Sequence, residues 1–205
     1  IKANGQDSLW KIQTTDYHGT YYGATVANGG IGILPWKEPF SIRHVMLNHV
    51  FDSATPQDVS RVLRGINPFN LQMQINGQTV NGDNISRWEQ CIDMKEATHN
   101  THFTCDGKAD VSYSICALRN LPYAGLVRVE VVALGDMYLT VSNPIEIPDE
   151  YKNIGSKLVN VNVNGNDIKI VRTWALSKYR EQKVSASSAF IYDKNSSVQR
   201  QYNGS

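Results

Sequence analysis

The stretch KLVNVNVNGNDIKIV, Lys157–Val171, decides the class of fold. Apolar residues alternate with polar ones on both sides of Asn164-Gly165. Asn-Gly is the dipeptide most typical of a two-residue β-hairpin loop, because both of its positions take a positive φ in a type I′ turn. The stretch therefore predicts two antiparallel strands joined by a tight turn.

The same alternation recurs along the chain. NLQMQINGQTV, residues 70–80, places Leu71, Met73 and Ile75 on one face ahead of Asn76-Gly77, and so predicts a second hairpin. Period-two alternation and enrichment in Val, Ile, Tyr and Thr predict further strands. They are VSYSICALR (111–119), LVRVEVVAL (126–134), YLTVSNPIEI (138–147) and AFIY (189–192).

Helical signals are few. TPQDVSRVLRG, residues 55–65, predicts a short helix, because Thr55 is a favourable N-cap, Pro56 suits the first helical position and Gly65 can end the helix. ALSKYREQK, residues 175–183, fits either a second short helix or a strand.

About ten strands with hardly any helix predict an all-β chain, folded as a large antiparallel β-sandwich with one or two short helices. No composition shift marks a linker, so we expect a single domain over residues 1–205. The segment Ile147–Tyr151 is the expected crossover between sheets.

The composition excludes some classes of function. Lys and Arg number 20 against 19 Asp and Glu, with a formal charge of +1 and no basic stripe, so we expect no nucleic-acid partner. No apolar run approaches the roughly 20 residues that span a bilayer, so no membrane span is expected. The chain starts at Ile1 rather than Met, which fits either natural processing or an artificial start. Processing would predict a periplasmic or secreted protein, and a cytoplasmic location stays open.

The three cysteines are Cys91, Cys105 and Cys116. None forms a C-x-x-C pair or joins histidines at zinc-finger spacing, so neither a metal nor another cofactor is expected. We expect buried free thiols in strands, with a Cys91–Cys105 disulfide as the alternative in an oxidising compartment. His44 and His49 lie five residues apart, a spacing that shares no helix or strand face, and so are expected to be solvated or hydrogen-bonded rather than ligands.

Two other histidines, His99 and His102, lie in the stretch THNTHF, residues 98–103. We expect them at the tip of a hairpin loop. No G-x-S-x-G elbow occurs, and sequence spacing does not establish for any pair of carboxylates the separation of roughly 5–10 Å that glycoside hydrolysis needs. The residues alone therefore predict no catalytic machinery.

The glycine-rich stretch NGGIGILPWKEPF, residues 28–40, is the main candidate for a site. It lacks the Gly-Lys-Ser/Thr of a phosphate-binding loop, and Pro35 and Pro39 leave no helix to follow it. We therefore expect a hairpin turn, followed by a loop in which Trp36 is exposed and free to contact a sugar ring or another domain. The candidate ligand or domain-interface residues are Asn28, Gly29, Gly30, Gly32, Trp36 and Glu38.

A longer pattern joins these segments. NG-x-x-G at residues 28–32 is followed by a motif that includes Asn67, Pro68, Leu71, Ile75 and Gly77, and then by one that includes Gln90, Asp93, Met94, Ala97, Thr101 and Phe103. In this order, over most of residues 10–150, the motifs resemble the N-terminal β-sandwich domain of glycoside hydrolase family 65-like enzymes. These enzymes include maltose, kojibiose and trehalose phosphorylases and acid trehalases. Cys91 departs from the pattern, where a Leu is expected, and the chain beyond Tyr151 matches poorly.

The resemblance implies a galactose mutarotase-like supersandwich that precedes an (α/α)6 barrel carrying the catalytic groups. We thus expect a non-catalytic N-terminal domain of an enzyme acting on α-glucosides, inactive alone, with the C-terminal helical catalytic domain of the same polypeptide as its partner. The domain would support the barrel and lend a loop to the substrate cleft. Carbohydrate binding and a homodimer are further expectations.

Two alternatives stay open. One is a free-standing carbohydrate-binding or cell-surface β-sandwich, which the aromatic content favours. The other is the N-terminal domain of a fucosidase-like glycoside hydrolase, a family that also opens with an NG-x-x-G segment.

Overall fold

The computed structural model describes residues 7–53, 55 and 57–191, which form two compact units. The first unit consists of the chain up to Asn48 together with Phe69–Pro144, and the second of His49–Pro68 together with the chain from Ile145 onward. The single-domain organisation over residues 1–205 stays a prediction. Among the described residues no helix is both long enough and apolar enough to cross a membrane.

Strands make up nearly all of the regular secondary structure of the described chain. The two short exceptions are 3-10 helices, Asp7–Trp10 and Gly82–Asn84. The strands up to residue 93 are β1 Lys11–Thr14, β2 Val26–Ala27, β3 Ile31–Pro35, β4 Ile42–Asp52, β5 Arg61–Arg64, β6 Gln72–Ile75, β7 Gln78–Thr79 and β8 Ile85–Asp93. The others are β9 Thr98–Cys105, β10 Ala109–Ala117, β11 Gly125–Ala133, β12 Leu139–Ser142, β13 Tyr151–Val163, β14 Asn166–Ser177 and β15 Lys183–Ala189.

Four antiparallel sheets result from these strands. Their orders are β1-β8-β9-β10-β11, β2-β3-β4-β5, β12-β6-β7 and β13-β14-β15. The segment after β12 leads from one sheet to another, so the crossover predicted near Ile147–Tyr151 is confirmed. The all-β, sandwich-like class is confirmed too.

One apolar core organises the first unit. Alternate residues of β10 point into it, and Val111, Tyr113 and Ile115 are each at most 4% exposed. Ile33 from β3 and Phe103 from β9 join the same cluster at 0% exposed. Since strand side chains alternate between faces, the strands of this unit direct alternate residues into the core.

Both predicted Asn-Gly hairpins are confirmed. Asn164 and Gly165 have φ values of 52° and 81°, and Val163 pairs with Asn166 across the turn. Asn76 and Gly77 have φ values of 52° and 80° between β6 and β7. Positive φ at both central positions is the type I′ condition that the dipeptide satisfies.

The helix predicted over residues 55–65 is wrong for the described part of that segment, since Arg61–Arg64 is strand β5. Pro56 lies outside the described residues. Val59 is 89% exposed whereas Leu63 is 2% exposed, so no helical apolar stripe is buried. A helix this short has little stability of its own, and pairing within a sheet that buries Leu63 decides its conformation.

The last strands also differ from expectation. The stretch 175–183 is not helical: residues 175–177 complete β14, residues 178–182 form the connection and Lys183 begins β15, so the strand alternative holds only at the two ends. The strand predicted at 189–192 is instead β15, Lys183–Ala189, while Phe190 and Ile191 lie beyond it and Tyr192 is outside the described residues. The sequence of β15, KVSASSA, carries little apolar alternation, so only its pairing with β14 identifies it.

A buried carboxylate organises part of the second unit. Asp52, 1% exposed, accepts hydrogen bonds from the backbone N–H groups of Ser53, Tyr179 and Arg180 at 2.7–3.2 Å. Burial alone would raise the pKa of this carboxyl group, but these donors and the Ser177 hydroxyl lower it to about 2. Asp52 is therefore an ionised cap for the turn after β14.

Candidate functional site

The glycine-rich segment is the turn of the β2–β3 hairpin, as predicted. Val26 pairs with Ile33, and Ala27 with Gly32. Within the turn the Asn28 side-chain oxygen accepts the N–H groups of Gly30 and Ile31 at 2.9 and 3.0 Å. An Asn side chain that bonds backbone two and three residues ahead mimics a turn, which explains Asn at this position.

The carbonyl groups of the same turn are bonded by Asn48. Its backbone N–H donates to the Gly30 carbonyl at 2.8 Å, and its side-chain amide donates to the Gly29 carbonyl at 3.0 Å. Gly29, at φ 89°, needs the conformational freedom of glycine. The turn thus has its polar groups satisfied within the first unit, which fits a structural element rather than a phosphate cradle.

Asn28 also fixes a second loop, residues 118–124 between β10 and β11. Its side-chain N–H₂ donates to the Leu118 carbonyl at 2.7 Å and to the Leu121 carbonyl at 3.4 Å. A Cβ atom at Gly30 would lie 3.2 Å from the Tyr123 nitrogen, so a side chain at residue 30 would press on this loop. Gly30 therefore allows a close approach of backbone to backbone.

Trp36 is half-buried, so the prediction that its side chain is exposed is wrong. Its ring meets the Tyr21 ring edge-on with centroids 4.8 Å apart, and the Arg43 guanidinium lies 4.2 Å from the centre of the Trp36 ring. The tyrosine and the arginine both pack against the Trp36 ring, which the sequence predicts to be exposed. Edge-on aromatic contacts and cation–π contacts both stabilise such an arrangement.

Gln90, on β8, holds the Trp36 loop by a hydrogen bond. Its side-chain N–H₂ donates to the Trp36 carbonyl at 2.9 Å and to the Thr101 hydroxyl at 3.2 Å. Gln90 and Thr101 face each other across β8 and β9, and both are at most 3% exposed. The motif resemblance marked these two positions without giving their role, which is to connect the Trp36 loop to the core sheet.

A buried histidine lies in the same region. His99 is 2% exposed on β9, and its Nε2 lies 3.4 Å from the Tyr21 hydroxyl. Burial lowers the pKa of His99 to about 4, so the imidazole is neutral near pH 7. The expected hairpin-tip position is therefore wrong for His99 and also for His102, which lies on β9 with an exposed side chain.

Glu38 is exposed and accepts the Tyr17 hydroxyl at 2.6 Å. Burial and this carboxylate raise the pKa of Tyr17, so the phenol stays protonated as a donor. Tyr17 also meets the ring of buried Trp88 edge-on at 5.4 Å. Glu38 therefore pins the loop before β2 to the loop after β3.

The other residues considered as catalytic groups or metal ligands have structural roles or no ligand cluster around them in the described chain. Asp93 accepts the N–H groups of Lys95 and Glu96 at 3.1 and 3.0 Å and so caps the β8–β9 turn. Cys91, Cys105 and Cys116 are free thiols, as expected, but of the three only Cys105 is fully buried. Within residues 7–53, 55 and 57–191, no group of three or more His, Cys, Asp or Glu side chains could hold a metal ion.

Each unit also has a shallow open cavity. On the outer face of the five-stranded sheet a cavity of about 260 Å³ is lined by polar side chains, including Glu89, His102 and Arg128. In the second unit a cavity of about 320 Å³ lies beside the Arg64–Glu150 ion pair, whose two hydrogen bonds measure 3.1 and 2.8 Å. Neither cavity contains the deep apolar walls typical of a small-molecule site.

The structure therefore brings together most of the predicted site. Asn28, Gly29 and Gly30 share one turn and Gly32 follows it on β3, whereas Trp36 and Glu38 belong to the next loop. Sequence reasoning missed the partners that support both parts. These are Asn48, the loop 118–124, Tyr17, Tyr21, Gln90 and His99.

Comparison with known proteins gives relatives but no matching family model. Kojibiose hydrolase of Flavobacterium johnsoniae is 30% identical over 179 residues, which cover 87% of this chain and 26% of that protein. Kojibiose hydrolase of Mucilaginibacter mallensis is 30% identical over 199 residues, covering 97% of this chain and 29% of that protein. The chain thus spans less than a third of the length of the curated relatives it matches, and it is homologous to a part of them.

Proposed function

We propose that the chain is the non-catalytic, N-terminal β-sandwich domain of a glycoside hydrolase family 65-like enzyme that acts on α-glucosides. The main support for this proposal is the difference between the share of this chain and the share of each relative that the alignment covers. Almost the whole chain aligns with proteins named kojibiose hydrolase, yet it accounts for only 26–29% of their length. In this proposal the catalytic groups belong to a helical barrel elsewhere in the same polypeptide.

The described contacts support a non-catalytic role. Two of the carboxylates that the sequence marks are engaged structurally: Asp93 caps a turn, and Glu38 accepts the Tyr17 hydroxyl. A general acid and its partner carboxylate need to face a common substrate across roughly 5–10 Å. Asp93 and Glu38 instead hold a turn and a neighbouring loop in place.

The proposed role is to support the barrel. The β2–β3 turn and the Trp36 loop are both held by hydrogen bonds from strands of the first unit. Loops fixed on a sheet can present a defined surface to another domain or to the rim of a substrate cleft. Asn28, Gly29, Gly30, Gly32, Trp36 and Glu38 are thus proposed as residues that build this surface or its base.

We propose kojibiose as the first substrate to test, and hydrolysis rather than phosphorolysis, because both relatives are named hydrolases. The natural gene product that contains this chain should release glucose from kojibiose in buffer without phosphate. The 205-residue chain alone, assayed at equal molarity, should release none. Formation of glucose 1-phosphate, and only when phosphate is present, would show that the natural gene product is a phosphorylase rather than a hydrolase.

A gene that encodes only these 205 residues would contradict the domain proposal. Isothermal titration of the 205-residue chain with α-glucosides then tests the free-standing carbohydrate-binding alternative. Heat of binding for the chain alone would support that alternative. A periplasmic or secreted location is a further proposal, which fractionation of the source cells tests. A homodimer is another, which sedimentation of the natural gene product tests.

A further inference from the structure

The loop 118–124 presents apolar side chains to solvent. Leu121 is 57% exposed and Tyr123 50% exposed, with Pro122 exposed between them. The loop leads into β11, where Leu126 is 47% exposed. Single exposed apolar residues are ordinary, but four within six positions concentrate exposed apolar side chains on this loop and the start of β11.

This loop is held in place rather than free. Leu118 N–H donates to the Ala124 carbonyl at 2.9 Å, and Ala124 N–H donates to the Leu121 carbonyl at 3.2 Å. The Asn28 amide adds its bonds to the Leu118 and Leu121 carbonyl groups from the β2–β3 turn. The apolar side chains are therefore presented by a fixed backbone, which lowers the entropic cost of binding to them.

Tyr123 also has a backbone conformation that its side chain disfavours. Its φ is 64°, in the left-handed region where Gly and Asn are common and bulky residues are rare. Folding would favour Gly or Asn at this position. The Tyr123 hydroxyl donates a hydrogen bond to the Asn48 carbonyl at 3.5 Å, and this bond fixes a ring that is half exposed.

The neighbouring strand β11 lies at the edge of its sheet. In the described residues β11 is the last strand of its five-stranded sheet and spans Gly125–Ala133. Val132, like Leu126, is exposed on it, at 62%. The exposed Arg128–Glu130 ion pair lies between these two residues on the same face, so the apolar surface is confined to the ends of the strand, and Leu126 adjoins the loop 118–124.

We propose that the loop 118–124, together with Leu126, is the surface on which a segment of the same polypeptide outside these 205 residues docks. The inference rests on the proposed function. The curated relatives supply the argument for the occupant, since more than two thirds of their length lies outside the matched part. The β2–β3 glycines then act as the base of the docking loop, and Leu121, Pro122, Tyr123 and Leu126 make the contact.

Hydrogen exchange of the natural gene product, compared with the 205-residue chain, tests the docking. The backbone amides of Leu121 and of residues 123–126 should exchange about tenfold more slowly in the longer protein, since docking must open before they exchange. Tyr123→Asn keeps a residue that tolerates φ 64° but removes the ring. It should abolish most of that tenfold difference in the longer protein while leaving the melting temperature of the 205-residue chain unchanged or raised.

Tyr22→Asn is the matched control, because Tyr22 is 88% exposed on another loop of the first unit. It should leave the tenfold difference intact. Equal exchange in the two proteins, or equal loss with both variants, overturns the docking but not the domain proposal. Protection that depends on the concentration of the 205-residue chain would make a second copy the occupant and overturn the proposal. A gene without further coding sequence overturns both.

Discussion

His99 shows how one buried residue connects the predicted loop to the interior. Its Nε2 reaches the Tyr21 hydroxyl, and Tyr21 in turn packs edge-on against Trp36. Because β9 turns His99 inward, a residue type often associated with catalysis or metals is part of the core support. The consequence for the protein is a dependence of stability on pH.

Lowering the pH from 6.5 to 4 should destabilise the protein through His99. The pKa of His99 is about 4 in the folded state and near its usual 6.5 when unfolded, so below pH 6.5 the unfolded chain binds the extra proton. The free energy of unfolding should fall by up to about 3 kcal/mol across this window. Urea titrations at pH 7, 5.5 and 4 measure it.

His99→Gln is the comparison, since glutamine does not titrate and keeps a polar group near Tyr21. The difference in free energy of unfolding between wild type and His99→Gln should shrink as the pH falls from 6.5 to 4. A difference that stays constant over this range would show that His99 is not buried as described.

Asp52 acts in a lower pH window. Its pKa is about 2 when folded, below the usual 3.8, so its contribution is complete above pH 4 and disappears as the pH falls toward 2. Asp52→Asn should cost about 2 kcal/mol at pH 7, because three backbone N–H groups lose a charged acceptor. Urea unfolding at pH 7 and pH 2.5 measures this cost.

Asp58→Asn provides the matched exposed control for Asp52. It should leave the free energy of unfolding nearly unchanged at both pH values. If Asp52→Asn is as mild as this control at pH 7, the carboxylate does not cap the turn after β14.

Among the elements, the β13–β14 hairpin depends on one backbone conformation. Gly165 has φ 81°, and a Cβ atom added there would meet nothing within 4 Å, so only the backbone opposes a side chain. Gly165→Ala should therefore lower the free energy of unfolding by about 1 kcal/mol, the usual cost of an alanine in the left-handed region. Thermal or urea unfolding of the 205-residue chain measures it.

Gly135→Ala is the control for the hairpin, because a Cβ at Gly135 also meets nothing and no unusual φ applies. It should be neutral, or slightly stabilising through the lower entropy of the unfolded chain. Equal effects of the two substitutions would mean that the Asn164-Gly165 turn does not set the register of β13 and β14.

For the whole molecule, Trp36 links stability of the first unit to the proposed partner domain. Trp36→Ala should destabilise the 205-residue chain, because it removes the contacts to Tyr21 and Arg43. If the Trp36 loop also meets the partner domain or the cleft rim, kcat/KM of the natural gene product should fall well below wild type at a temperature where the variant remains folded.

Trp36→Phe separates the two effects, since phenylalanine retains the aromatic contact with Tyr21 but not the full surface of the indole. It should preserve most of the melting temperature and still lower kcat/KM. Unchanged kinetics and unchanged melting in both variants would leave residues 28–40 as a hairpin turn and loop without an interface role.

The sequence by itself determined the all-β class and the two Asn-Gly hairpins. A positive φ at two successive positions is a local requirement that Asn-Gly meets, and alternation with period two identifies half-buried strands without knowledge of their partners. The glycines of residues 28–32 were likewise readable as a turn, because the signals that would have made a phosphate loop were missing.

Only the tertiary structure decided the surroundings of the candidate site. The supporting partners lie far along the chain: Gln90 is 54 residues from Trp36, His99 is 78 from Tyr21, and Leu118 is 90 from Asn28. The tertiary structure also made β5 a strand, since sheet pairing outweighs the weak helical preference of residues 55–65. Local sequence patterns contain no information on such distant contacts, so they could mark Trp36 as aromatic in a loop but not show what covers it.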